Sequence, residues 1–185
     1  QYISIRKAMF CDCSCIKYSG GMDITFSQKP RINYPMFGIN NAVVHISIAI
    51  VNSIFARCHS ESNAGGLTTR KTEGKILKNF NVTISFINCS FFSDTSFREA
   101  GAILSTNINH VFIHGSKFVR NKGLRGGAVR LLKIISTIQS KNILIANQAK
   151  IAGGAMDIDT ADMAIIINNS MKRNLVGNRD RSGIH

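Results

Sequence analysis

A glycine-centred element recurs along this chain, and its spacing constrains the fold more than any local propensity does. It reads Gly20-Gly21-Met22, Gly65-Gly66-Leu67, Ala100-Gly101-Ala102-Ile103, Gly126-Gly127-Ala128-Val129, Gly153-Gly154-Ala155-Met156 and Ser182-Gly183-Ile184. With Gly21, Gly66, Gly101, Gly127, Gly154 and Gly183 as reference points, the intervals are 45, 35, 26, 27 and 29 residues. A bulky apolar residue precedes each point by 9 to 12 residues: Phe10, Phe55, Phe92, Phe118, Leu144 and Met171. Three residues after that comes a small or amide residue, namely Cys13, Cys58, Thr95, Asn121, Asn147 and Asn174.

Between these elements the chain is rich in β-branched and apolar residues in short runs, such as Val82-Thr83-Ile84-Ser85-Phe86-Ile87, with no sustained helical stripe. About 26 residues at about 3.3 Å each suits one circuit of a tube, whose strands stack about 4.8 Å apart on the next circuit. The expected fold is therefore all-β, a right-handed single-stranded parallel β-helix (β-solenoid) of about six coils, incomplete at both ends. Residues 1–185 then form one β-helix segment of a longer protein, with irregular coils and a long loop over 1–80 and regular coils over 81–185. Tyr2-Ile3-Ser4-Ile5 reads as a strand already under way, and the last motif stops as it enters its strand. Open ends of this kind expose unpaired backbone, so association through them is expected.

The motif residues acquire physical roles in such a tube. Paired glycine suits a corner where φ is positive and no Cβ blocks the next coil. The recurring Asn121, Asn147 and Asn174 suit a left-handed turn whose amides bond to the coils on either side. Phe118 and its counterparts point inward and stack.

Phe118-Val-Arg-Asn121 followed by Gly126-Gly-Ala-Val129 resembles the paired FxxN and GGA(I/L/V) repeats of the chlamydial polymorphic outer-membrane proteins and related repeat adhesins. The pattern covers most of the chain, with Leu144 and Met171 replacing Phe and Cys13, Cys58 and Thr95 replacing Asn. The resemblance implies a surface-displayed β-helix like an autotransporter passenger, used in adhesion, at the cell surface or secreted (the outer membrane in a bacterium). The C-terminal membrane barrel of that family is not among these residues.

The 185 residues are 44% apolar and 18% charged, which excludes a collagen, a disordered linker or a disulfide-dense miniprotein. No apolar run approaches the roughly 20 residues that span a bilayer as a helix. A net charge of +13 points to an anionic partner. Arg57, Arg120 and Arg173 share one position in alternate coils, two residues after the bulky apolar one. They form a candidate ligand-binding stripe about 10 Å apart, joined by charge from Lys117, Lys122, Arg125, Arg130, Lys172, Arg179 and Arg181. An anionic polysaccharide or a host-cell surface glycan fits that stripe, and a solvated face that keeps the fold soluble is the alternative. Specific nucleic-acid binding is not expected, because there is no Trp and no helix-turn-helix, zinc-finger or RNA-recognition signature.

Catalysis by a pectate-lyase-like polysaccharide lyase or hydrolase is the rival reading. It needs paired carboxylates, or a base beside a cation. Asp157, Asp159 and Asp162 form the densest acidic cluster, with Asp23 at the repeat position of Asp157. Asp157 and Asp159 are read as outward-facing solvated residues, and no catalytic residue is assigned. Cys11-x-Cys13-x-Cys15 lacks the Cys-x-x-Cys spacing of common zinc sites, so neither metal nor cofactor is expected. Cys13 and Cys58 share a motif position and are candidates for a disulfide if their coils stack directly, with buried free thiols as the alternative. The 45-residue interval, which contains Pro30 and Pro35, would be a surface loop or a cryptic extra coil. His110 and His114 face one way without a carboxylate in reach and receive no ligand role. Asn81, Asn88 and Asn168 begin glycosylation patterns that turn or ladder residues also satisfy.

Overall fold

The computed structural model describes residues 1–17, 19–26, 44–72 and 80–177. Regular structure among them is all β-strand, and the strands pair in parallel in a solenoid-like arrangement. No helix among the described residues is long and apolar enough to cross a membrane. Strands come in successive sets. The first comprises β1 (Tyr2–Arg6), β2 (Met9–Cys11), β3 (Ser14–Cys15) and β4 (Met22–Phe26), and the second β5 (Val44–Val51), β6 (Ile54–Ala56), β7 (His59–Ser60) and β8 (Leu67–Lys71). The third is β9 (Phe80–Ile87), β10 (Ser90–Phe92), β11 (Thr95–Ser96) and β12 (Ile103–Thr106). After β13 (His110–His114), β14 (Lys117–Val119) and β15 (Lys122–Arg125) come β16 (Val129–Ser140), β17 (Ile143–Ile145) and β18 (Gln148–Ala152), then β19 (Met156–Ile167), β20 (Ser170–Lys172) and β21 (Leu175–Val176).

Equivalent strands lie side by side. One sheet runs β1-β5-β9-β13-β16-β12-β8-β4 with β19 added to β16, the second runs β2-β6-β10-β14-β17-β20, and the third β3-β7-β11-β15-β18-β21. β16 joins two strands of earlier sets into one: its residues 129–132 pair with β12 and 136–140 with β13. Because β2 pairs directly with β6, Met9 against Ile54, no cryptic coil separates the first two sets. Pro30 and Pro35 lie outside the described residues.

Two of the corners, from the first sheet to the second and from the second to the third, are each built by one left-handed residue followed by one inward residue. At the first corner Lys7, Asn52, Asn88, Gly115, Lys141 and Asn168 have φ between 51° and 60°; at the second Asp12, Arg57, Ser93, Arg120, Ala146 and Arg173 lie between 53° and 57°. The repeat pattern predicts Asn121, Asn147 and Asn174 as the left-handed residues. The structure moves that role one residue earlier, to Arg120, Ala146 and Arg173, and leaves the asparagines pointing into the tube. The reason is hydrogen-bond accounting: the corner's orphan backbone groups need partners, and an inward amide supplies them. Asn121 N and Nδ2 both donate to Asn147 Oδ1 at 3.0 Å, and Asn147 N and Nδ2 donate to Asn174 Oδ1 at 3.0 and 2.9 Å. Each Nδ2 also reaches back to a main-chain carbonyl, Phe91, Phe118 and Leu144 in turn. Ser116, Asn142 and Asn169 run a second ladder at the first corner.

The expected aromatic stack is present, with one change of register. Phe10, Phe55, Phe91 and Phe118 lie face to face, with centroids 4.8 to 5.0 Å apart and planes within 10°. Phe91, not Phe92, pairs with Phe55 and Phe118, so the ladder position of that set is Asp94 rather than Thr95. Two adjacent phenylalanines cannot be told apart by counting from a glycine when the loop between is one residue longer. Phe118 and Leu144 are buried in the same column.

The glycine reference also shifts. Gly20 and Gly65 stand in line with Gly101, Gly127 and Gly154, while Gly21 and Gly66 align with Ala102, Ala128 and Ala155. Nor is positive φ what these positions require, since Gly126 and Gly153 have it and Gly127 and Gly154 do not. A Cβ on Gly127 would run into the carbonyl oxygen of Gly154 and stand 2.7 Å from Gln148 N. Close backbone approach selects glycine there. Gly183 lies outside the described residues.

Candidate functional site

The second corner carries the three arginines named from the sequence. Arg57, Arg120 and Arg173 occupy its left-handed position, with φ of 54°, 57° and 54°, and alternate with Asp12, Ser93 and Ala146. Consecutive members of the column are one strand spacing apart, so the arginines recur at about 10 Å. All three are exposed. They differ in electrostatic state. Asp12 accepts bonds of 2.6 and 2.7 Å from Arg57 Nε and Nη2. This hydrogen-bonded pairing holds the Asp12 carboxyl below its ordinary range and pushes the Arg57 guanidinium up. Arg120 and Arg173 form no ion pair among the described residues. Exposed Lys117 and Lys122 flank Arg120, and exposed Lys172 precedes Arg173. The unbalanced positive charge of the corner therefore sits at its later repeats. Arg125 is half-buried, and Arg179 and Arg181 lie outside the described residues.

A second charged cluster lies on the outer face of the first sheet. The register places Asp23, Thr68, Leu104, Arg130 and Asp157 in one column. Asp23 and Asp157 thus share a repeat position; Asp157 is largely covered rather than solvated, while Asp159 is exposed as expected. Arg130, whose side chain is 9% exposed, is held by Glu99 through Nη1, by Asp157 Oδ2 at 3.4 Å from Nε, and by Asp159 Oδ2 at 3.9 Å from Nη2. Asp23 is engaged by Arg70 at 3.4 Å, and Asp162 is exposed. The Arg130 cluster was legible in principle, because Arg130 and Asp157 each stand four residues after the first Gly of their Gly-Gly-Ala elements. Glu99 was not, since only folding brings its turn over the sheet. Glycoside hydrolysis needs open space between two carboxylates for sugar and water. Here a guanidinium sits among them.

The thiols take a structural role. Cys13 and Cys58 do stack directly, because Ser14 and His59 beside them are in register. The candidate disulfide between them is nevertheless absent: all five cysteines are free. In-register neighbours on parallel strands send their side chains out along the same direction, whereas a disulfide needs the two Cβ vectors to converge. Cys13 Sγ instead donates to Cys11 O and Cys58 Sγ to Phe10 O, each at 3.4 Å. Burial pushes the Cys58 thiol up to about 12 and raises that of Cys89. With a thiol reagent at pH 8, Cys11, Cys13 and Cys15 are expected to react first, and Cys58 and Cys89 only at the rate of opening. Five fast thiols would contradict this burial; three in total after unfolding would reveal a disulfide.

His110 and His114 are occupied by Ser136 and Ser140 at 2.8 Å, and no group of His, Cys, Asp or Glu suited to a metal occurs among the described residues. Asn88 and Asn168 are left-handed corner residues, while Asn81 lies within β9. No protein-family model, no curated protein and no solved structure matches the chain.

Proposed function

We propose that this chain is a segment of a right-handed parallel β-helix of six coils in a longer, adhesin-like protein. It is displayed at a cell surface or secreted, performs no catalysis, and presents its second corner to an anionic polysaccharide or host-cell surface glycan. The observation that carries the reading is the state of the arginines: Arg120 and Arg173 are exposed and hold no ion pair among the described residues, while Arg130, surrounded by Glu99, Asp157 and Asp159, is buried. The FxxN and GGA pairing supports a surface adhesin like the polymorphic outer-membrane proteins. In a stiff stack the main chain is committed to its neighbours, so recognition falls to the variable outer side chains. A polyanion lying along the stack meets the corner cations in succession.

The chain is expected to bind immobilised heparin at low ionic strength and to leave it at moderate salt, as exposed charges screened over about 8–10 Å require. Arg120→Ala with Arg173→Ala elutes at clearly lower salt. Arg57→Ala with Asp12→Ala, which removes a pair that neutralises itself, elutes close to the parent. Coincident elution of the double variant and the parent would remove the corner from the binding surface.

A polysaccharide lyase or hydrolase is the second reading, favoured by the Asp157, Asp159 and Arg130 cluster alone. Release of reducing ends or unsaturated sugars, abolished by Asp157→Asn, would establish it in place of the first.

A further inference from the structure

The column of inward residues at the second corner passes from thiols, Cys13 and Cys58, to the amides Asn121, Asn147 and Asn174, and between them stands an acid. Asp94 stands where Asn121, Asn147 and Asn174 stand in later repeats: its N donates to Asn121 Oδ1, and its Oδ1 accepts from Cys58 N, both at 2.9 Å. It is fully buried, and Oδ2 has no hydrogen-bond partner among the described residues. In each asparagine the corresponding atom is Nδ2, a donor aimed at the carbonyl of the stacked residue one repeat back. In the register of the strands the Phe55 carbonyl holds, one repeat before Asp94, the place that Phe91, Phe118 and Leu144 hold for the asparagines, and it is an acceptor that an ionised carboxylate cannot satisfy.

We propose that Asp94 is held as a neutral carboxylic acid whose Oδ2–H replaces the missing amide donor, so that the ladder is complete in acid and loses one rung when the carboxyl ionises. The groups around it are consistent with a proton staying there. From the preceding repeat the Cys58 thiol is the titratable neighbour, and it too resists ionisation. From the following repeat Asn121 faces the carboxyl, and across the interior stand Gly66 and Phe91, none of them charged. His59, Arg57, Arg120 and Lys122 belong to the same strands and corners but direct their side chains outward, His59 to Thr95 Oγ1 and Arg57 to Asp12. Burial pushes the Asp94 carboxyl up to about 7, against the opposing effect of hydrogen bonds from Cys58.

The sign follows from proton linkage. An aspartate in the unfolded chain titrates near 4, so between about pH 4 and 7 the folded chain holds one proton more than the unfolded one. The contribution to stability is complete below about pH 4, falls as the pH rises, and is gone above about 7. Asp94→Asn carries the donor permanently and removes this dependence.

The test is urea denaturation of the whole chain and of Asp94→Asn from pH 4 to 8. The ratio of their folding constants is expected to start near unity at pH 4 and climb by close to tenfold per pH unit, reaching on the order of 10²–10³ by pH 8. A ratio independent of pH, or an asparagine variant less stable than the parent at pH 8, overturns the proposal. A carboxyl ¹³C titration of Asp94 in the folded parent decides the matter even if the variant does not fold. A midpoint well above 5 supports the neutral acid, and one at or below 4.5 excludes it.

Discussion

Gly127→Val is expected to destabilise the chain by about 3 kcal/mol or more, a fall in melting temperature of about 6–12 °C for a protein of this length. The first carbon added is already excluded. Gly127 N donates to Gly153 O at 2.8 Å, which pins this strand to the next, and the space a Cβ needs is filled by the carbonyl of Gly154 and by N and C of Gln148, at 2.7 and 2.8 Å. All three obstacles are backbone, held by their own ladders, so no side chain can turn aside to make room. Gly127→Ala should therefore show most of the loss. Lys117→Val, on an exposed position of β14, should stay within about 0.5 kcal/mol. Because each repeat is stabilised by its neighbours, exchange protection should fall on both flanking repeats and not only at residue 127. Thermal melting of the three variants side by side checks this, and a parental melting temperature for Gly127→Val would mean that the glycines do not stand in line.

Phe91→Ala should cost about 3–5 kcal/mol, while its neighbour Phe92→Ala costs about 1 kcal/mol or less. Phe91 is fully buried between Phe55 and Phe118, at centroid distances of 4.8 and 5.0 Å, and meets Phe86 edge-on at 6.4 Å. Truncation breaks a continuous stack in its middle and leaves a cavity bounded by parallel rings whose spacing is fixed by their strands, so collapse is limited. Phe92 points outward and is 36% exposed. Urea denaturation of the two alanine variants measures the contrast; equal costs, or the larger one at Phe92, would reverse the assigned register.

Much of the fold could be read before any coordinates. Glycine elements at near-constant spacing, each tied to a bulky residue and then a small or amide one, demand stacked equivalents. Phe10, Phe55 and Phe118 stack as counted, and Asn121, Asn147 and Asn174 form the ladder expected of them. Counting along the chain does not decide between adjacent residues, Phe91 against Phe92 or Gly20 and Gly65 against Gly21 and Gly66. A strand reverses the direction of its side chains at every step, so a one-residue ambiguity in a loop exchanges inside for outside without changing the composition. Asp94 stayed hidden for the same reason, behind a motif position assigned to Thr95.

The candidate site was legible only as a set of residues. Spacing put Arg57, Arg120 and Arg173 in one column, but which of them keeps its charge available depends on Asp12, 45 residues from Arg57 and adjacent to it in space. Arg130 looked like one more surface cation until the turn carrying Glu99 and the strand carrying Asp157 and Asp159 closed around it. Periodicity along the chain thus determined that equivalent residues stack, since a repeat can bury its apolar face only against its own copy. The tertiary structure alone decided which side chain of each neighbouring pair turns inward and which charges meet. Those choices rest on how excursions of unequal length set the register of the strands they join, and on contacts between residues that no local pattern relates.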